Sequence, residues 1–206
     1  MKLSKSLLAV GISLLIPVCA LALQDSGQAS SLKLSSNPIG NFGVVSVNVY
    51  RGSRLKKEIE YKYLKEVLGV SYVVNLERFN HDDQLLCKKY DLNCVEFPLM
   101  LVVGTDAFFN WGTLKKAYSF VLDKSRSGNK IYFHCLHGSD RTGTLASALT
   151  IREKTCNKPG FDKNALLVET EATLRKHGFH KIYIFLHHKI KTWVIQYDEN
   201  SEWLCK

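Results

Sequence analysis

Residues 131–143, with the sequence IYFHCLHGSDRTG, combine a nucleophile, a turn and a cation at short spacing. A run of β-branched and aromatic residues leads into Cys135, and six positions later Arg141 stands where the pattern predicts the start of a helix. The backbone N–H groups of such a loop can face inward, and the positive end of the helix points at the same place. The planar guanidinium of Arg141 matches two phosphate oxygens. The segment therefore predicts a cradle for a tetrahedral dianion.

This cradle predicts nucleophilic catalysis on phosphorus. Donors that hold phosphate also favour the thiolate of Cys135, which can attack phosphorus and form a phosphocysteine that water hydrolyses. We expect Thr142 to donate a hydrogen bond to the sulfur as it departs, and His134 to brace the loop through its ring rather than act as a base. The predicted phosphate-binding loop consists of Leu136, His137, Gly138, Ser139, Asp140 and Arg141.

The pattern H-C-x-x-G-x-x-R-T-G resembles the signature of cysteine-based protein tyrosine phosphatases, especially the compact dual-specificity group and its bacterial secreted members. Further similarity lies in YRGS at residues 50–53, in GVSYVVNL at residues 69–76, and in FDKNA at residues 161–165 with Glu169 beyond. The resemblance thus covers most of residues 49–179. It implies a compact α/β domain with a central, mostly parallel sheet flanked by helices, and a phosphatase that needs no metal or cofactor.

The same resemblance implies an aspartic acid that protonates the leaving oxygen and then deprotonates the attacking water. Asp106 is the candidate, 29 positions before Cys135, and Gly104 would permit its loop to move. The usual Trp-Pro-Asp context is absent, and the alternative is that Asp106 caps the next helix.

The D-R-T-G form of the signature bears on the substrate. It also occurs in phosphatases that act on phosphoinositides and in some bacterial tyrosine phosphatases, so an inositol or lipid phosphate stays an alternative to phosphotyrosine. His137, when cationic, could favour an additional phosphate, while Asp140 could face outward and hydrogen-bond the loop. The alternative is that both side chains only decorate the rim of the loop.

Hydrophobic periodicity predicts strands that alternate with helices, the pattern of an α/β domain. We predict strands over residues 42–50, 71–76, 94–98 and 130–134. Predicted helices cover residues 55–68, 110–124, 142–154 and 163–176, the last with Asp162 as N-cap, and a final helix contains Ile182, Leu186, Ile190 and Trp193.

Residues 1–22 read as a secretory signal peptide, with two lysines, a short apolar run and a small-x-small ending at Ala22. We expect a flexible lead-in over residues 23–40, a single phosphatase domain over residues 41–206, and a periplasmic or secreted location. The cysteines outside the leader are Cys87, Cys94, Cys135, Cys156 and Cys205. Four of them can form two disulfides in an oxidising compartment, leaving Cys135 free, but three pairings are open.

Composition narrows the function further. The 206 residues are 46% hydrophobic and 23% charged, which excludes a disordered or membrane-embedded chain, and the net charge of +9 favours anionic partners. We expect a phosphorylated protein or a phosphoinositide as substrate, no nucleic acid, no metal, no stable membrane insertion after processing, and a monomer. The rival reading from another class is a catalytically inactive module that only binds phosphorylated partners.

Overall fold

A five-stranded sheet forms the centre of the computed structural model, which describes residues 36–103, 105, 107–195 and 203–206. Its strands are β1 (Gly43–Ser46), β2 (Val49–Ser53), β3 (Tyr72–Asn75), β4 (Asn93–Glu96) and β5 (Ile131–Cys135). The order is β1-β2-β5-β3-β4, with β1 antiparallel to β2 and every other neighbouring pair parallel. The expected α/β architecture is thereby confirmed.

Six helices flank this sheet in the described part of the chain. They are α1 (Glu58–Lys62), α2 (Gln84–Lys89), α3 (Trp111–Arg126), α4 (Asp140–Thr155), α5 (Lys163–Lys176) and α6 (Ile184–Ile195). Asn110 caps α3 through Thr113 N–H, and Asp162 caps α5 through two N–H groups, because short polar side chains can accept from the free donors of a first turn.

Both faces of the sheet are buried, as a parallel sheet requires. Ile131 and Phe133 of β5 pack into a core with helices α3 to α6. Tyr132, between them, points to the other face and packs with residues of α1 and α2. Successive side chains of β5 therefore point to opposite faces of the sheet and pack against helices on both sides. The functional residues lie where the strand ends.

The first predicted strand was wrong as a single element. Residues 42–50 divide into β1 and β2, which pair with each other across the turn at Val47 and Asn48, and β2 continues to Ser53. Alternation alone does not reveal this reversal, because Val continues on both sides of the turn. The helix predicted over residues 55–68 is also divided in the structure: α1 ends at Lys62, and a π-helical turn follows at Tyr63–Val67.

Two disulfides select one of the three cysteine pairings. Cys87 of α2 bonds to Cys94 of β4, and Cys156 after α4 bonds to Cys205 in a short 3₁₀ turn, Trp203–Cys205. Cys135 is the free cysteine of the described residues.

The described residues show where the packed domain begins and whether any of its helices could cross a membrane. Ile39 is buried and Gly40 accepts a hydrogen bond from Ser53 N–H at 2.8 Å, so packed structure begins before the predicted boundary at residue 41. The predicted signal peptide and most of the lead-in lie outside the described residues. Within those residues, no helix has the length and apolar character needed to cross a bilayer.

Candidate active site

A cleft of about 480 Å³ opens at the edge of the sheet where the parallel strands end. Because β2, β3, β4 and β5 run in one direction, the loops that follow them meet at this edge. Cys135, the last residue of β5, lines the cleft together with Arg141 and is only 3% exposed. The remaining cleft wall comes from the loops after β3 and β4 and from the connection between α5 and α6.

Three successive carbonyl groups of the loop after Cys135 accept hydrogen bonds from outside it. Leu136 C=O accepts from the backbone N–H of Arg54 at 3.4 Å. His137 C=O accepts from Asn41 Nδ2 at 2.9 Å. The next carbonyl, that of Gly138, accepts from the Arg51 guanidinium through Nη2.

These outward bonds orient the inward donors. In a trans peptide the C=O and the N–H of the following residue point in opposite directions, so the N–H groups of residues 137–139 turn toward the loop interior. None of these three N–H groups donates to another described residue. The loop is therefore a set of free donors aimed inward, which is the arrangement that binds an oxyanion.

Gly138 allows this loop to sit close to β2. Its φ is +69°, and a Cβ at this position would lie 2.6 Å from the carbonyl carbon of Gly52. An L side chain would meet both backbone strain and overlap with β2, so the sequence requires glycine here.

Helix α4 begins at Asp140, so its positive end faces the loop. Arg141 is half-buried at the cleft, where Nη1 donates to Leu99 C=O at 3.4 Å. The hydroxyl of Thr142 is buried and has no hydrogen-bond partner among the described residues. An unpartnered hydroxyl in the first turn of this helix is available to the sulfur or to a bound anion.

His134, in β5 directly before the nucleophile, is fully buried and donates through Nε2 to the carboxylate of Asp82, at 3.0 Å from Oδ1. Asp82 is also buried and lies in the loop after β3. The ring thus joins two neighbouring strand ends beneath the cleft, and this contact is compatible with the bracing role expected of it.

Asp140 faces the connection between α5 and α6 rather than solvent. Its two carboxylate oxygens accept from the backbone N–H and from Nδ1 of His180, both at 2.8 Å. His180 lines the cleft, so Asp140 fixes an imidazole at the mouth. Among the described residues of the cleft, Arg78 and Arg141 carry positive charge, and His137 and His180 add two imidazoles.

The guanidinium of Arg51, behind the loop, is almost fully buried. Arg51 is 2% exposed, and burial lowers its pKa to about 10, although the nearby Cys135 and Tyr132 act in the opposite direction. Arg51 Nε and Nη1 have no partner among the described residues. A buried guanidinium this close to the loop adds positive potential where an anion would bind.

Sequence reasoning placed the loop residues but missed those that hold the loop. Cys135, Arg141 and residues 136–140 form one arrangement, whereas Asp106 lies outside the described residues. Asn41 and Arg51 reach the loop from far along the chain, and Asp82 reaches His134 directly before it. Of these three, only Arg51 carried a signal in the sequence, through the YRGS segment. No group of side chains suited to a metal ion occurs in the described residues.

Comparison by sequence finds neither a protein-family model nor a curated protein that matches the chain. Solved structures do match. The core catalytic domain of the PP-IP phosphatase SIW14 from S. cerevisiae, in complex with citrate, is 17% identical with a TM-score of 0.55, covering 80% of this chain and 89% of that chain. TpbA from P. aeruginosa is 20% identical with a TM-score of 0.55, covering 80% and 88%.

A third match is PTPMT1 in complex with PI(5)P, 17% identical with a TM-score of 0.54, covering 75% of this chain and 97% of that chain. The chain has the fold of the cysteine-based phosphatases. In this chain Cys135 lies at the carboxyl edge of the parallel strands and lines the cleft.

Proposed function

We propose that the protein is a phosphomonoester hydrolase that acts through a phosphocysteine intermediate. The observation that carries the proposal is the loop around Cys135, whose carbonyls at residues 136–138 are bonded outward and whose following N–H groups are free. A thiol at the base of inward donors, beside Arg141, has the parts needed to bind and attack a phosphate. The phosphatase fold supports the same conclusion.

The first step transfers the phosphoryl group to sulfur. The Cys135 thiolate forms an S–P bond as the P–O ester bond breaks, while the loop N–H groups and Arg141 hold the three remaining oxygens. The departing oxygen takes a proton, and Asp106 is the residue we propose to supply it.

The second step regenerates the thiolate. Water, deprotonated by the same carboxylate, forms a P–O bond as the S–P bond breaks, and inorganic phosphate leaves. Thr142 is proposed to donate its unpartnered hydroxyl to the departing sulfur.

For the substrate, we propose a phosphotyrosine protein or a phosphoinositide. The cations at the cleft mouth favour an anionic substrate of either kind. Two structural neighbours bear on the second class, since one is the PP-IP phosphatase SIW14 and another, PTPMT1, is in complex with PI(5)P.

For the location, we propose export from the cytoplasm. Two disulfides are compatible with export, and cleavage of the leader after Ala22 stays a prediction.

The test is hydrolysis of an aryl phosphate by the chain from Leu23, with EDTA present. Cys135→Ser should abolish turnover, and Asp106→Asn should slow it by about 100-fold, in the range of general acid catalysis. Asp123→Asn, at an exposed position in the last turn of α3, is the matched control and should keep wild-type turnover. Folded, reduced wild type without activity on any phosphomonoester, but with retained binding of phosphate, would instead indicate a module that only binds.

A further inference from the structure

Exposed apolar side chains concentrate around the mouth of the cleft. Eleven large apolar residues are exposed in the described part of the chain, and five of them lie on the three segments that surround this mouth. They are Phe79, Val103, Phe108, Ile182 and Ile184, between 53% and 74% exposed. Clustered exposed apolar side chains mark interaction surfaces more often than scattered ones do.

The five residues come from three separate parts of the fold. Phe79 lies between β3 and α2, and Val103 and Phe108 lie between β4 and α3. Ile182 lies in the connection between α5 and α6, and Ile184 is the first residue of α6. Phe79, Val103 and Ile182 line the same cleft as the nucleophile. We call these three cleft-lining residues, Phe79, Val103 and Ile182, the apolar rim; Phe108 and Ile184 lie on the same segments but do not line the cleft.

Cations stand beside the apolar rim. Arg78 precedes Phe79, with its guanidinium 5.5 Å from the ring centroid, and Lys181 precedes Ile182. Both are exposed, and neither has a carboxylate partner among the described residues. The nearby carboxylate of Glu77 is buried and paired with Arg54.

The carboxylate of Asp82 is likewise buried, and it is paired with His134. Near Phe79 the rim therefore presents the free charge of Arg78 together with apolar side chains, and the exposed Asp83 of the same segment accepts from the N–H groups of Leu85 and Leu86 as the N-cap of α2.

We propose that the apolar rim, with Arg78 and Lys181, binds the surface of an anionic lipid bilayer, so that the cleft faces the membrane. Peripheral binding of this kind depends on buried apolar side chains and on attraction of Lys and Arg to acidic headgroups. The rim side chains protrude from separate loops around one opening, which suits a planar interface. This inference does not depend on catalysis.

The test is co-sedimentation of Cys135→Ser protein, from Leu23 onward, with vesicles. Vesicles of phosphatidylcholine alone are compared with an equimolar mixture of phosphatidylcholine and phosphatidylserine. We expect binding to the mixed vesicles, reduced about tenfold or more by Phe79→Ser combined with Ile182→Ser, since each change removes an apolar side chain from the interface. Arg78→Gln with Lys181→Gln should remove most of the salt-dependent part of the binding.

The matched control is Val47→Ser combined with Val168→Ser, at positions 88% and 65% exposed. Val47 lies at the β1–β2 turn, at the opposite edge of the sheet from the cleft. Equal binding by the rim and control variants would overturn the proposal, as would binding that is indifferent to phosphatidylserine. If the same rim changes, made in the protein that retains Cys135, abolish activity on a phosphoprotein while vesicle binding is unchanged, the proposal is overturned and the rim is assigned to a protein partner. Because the vesicle assay uses the serine variant, its failure leaves the proposed hydrolase reaction untouched.

Discussion

Acid should destabilise this protein through His177, and His177→Asn should remove that sensitivity. The ring is 8% exposed and lies behind the phosphate-binding loop, where Nδ1 donates to Asn41 Oδ1 at 2.8 Å. The same Asn41 amide donates to the carbonyl of His137 in the loop. A proton added to His177 would therefore charge a group that supports the loop from outside.

The magnitude follows from the pKa of His177, which burial and, to a smaller degree, the positive charge of Arg51 lower from 6.5 to about 4. In the unfolded chain this imidazole takes up a proton near pH 6.5, whereas the folded protein resists protonation until about pH 4. The unfolded state therefore binds more protons between these values, and the free energy of unfolding falls as the pH falls through this window. At pH 4 the loss is about 3 kcal/mol relative to neutral pH.

Urea denaturation at a series of pH values from neutral to 4, with disulfides intact, measures this loss directly. The asparagine side chain can still donate to Asn41 but does not titrate, so the variant should lose about 3 kcal/mol less than wild type over the window. His188→Gln, which removes an exposed imidazole of α6, controls for the loss of a histidine as such. Parallel curves for wild type and His177→Asn would refute the assignment of the acid sensitivity to this ring.

Two further predictions concern the loop. Gly138→Ala should lower the free energy of unfolding by more than about 2 kcal/mol, because the positive φ and the overlap with Gly52 act together. Gly128→Ala, at φ +82° with no atom within 4 Å of the added Cβ, should lower it by only about 1 kcal/mol. Urea titrations measure both losses, and equal losses would contradict the overlap. Arg51→Met removes the donor to the Gly138 carbonyl and should weaken inhibition by tungstate, a tetrahedral anion, about 10- to 100-fold. Wild-type inhibition in that variant would contradict the orienting role of Arg51.

The sequence predicts those parts of the site that depend only on residues close together in the chain. Strand, cysteine, tight turn and helix start follow one another within residues 131–143, so the loop and the positions of Cys135 and Arg141 can be inferred from spacing. The predicted N-cap Asp162 is local as well, since it accepts from N–H groups only two and three residues ahead. Such features need no knowledge of how distant segments pack.

The parts that could not be predicted depend on register between distant segments. The contact of His134 with Asp82 spans 52 positions, and that of Arg51 with Gly138 spans 87. Each requires that two particular strand ends lie side by side, which only the completed sheet determines. Helix α2 was missed for a different reason, because its six residues are too few to show a helical period.

The inward direction of the loop's N–H groups depends on residues that precede their partners in the loop by 82, 87 and 96 positions. Asn41 before β1, Arg51 within β2 and Arg54 after β2 supply the three donors that turn the carbonyls of residues 136–138 outward. The first described segment is thus part of the site, although it carries no group that would touch a substrate. A chain that began after Asn41 would keep the cysteine, the arginine and the sheet, but one of the three peptide groups of its anion cradle would no longer be fixed.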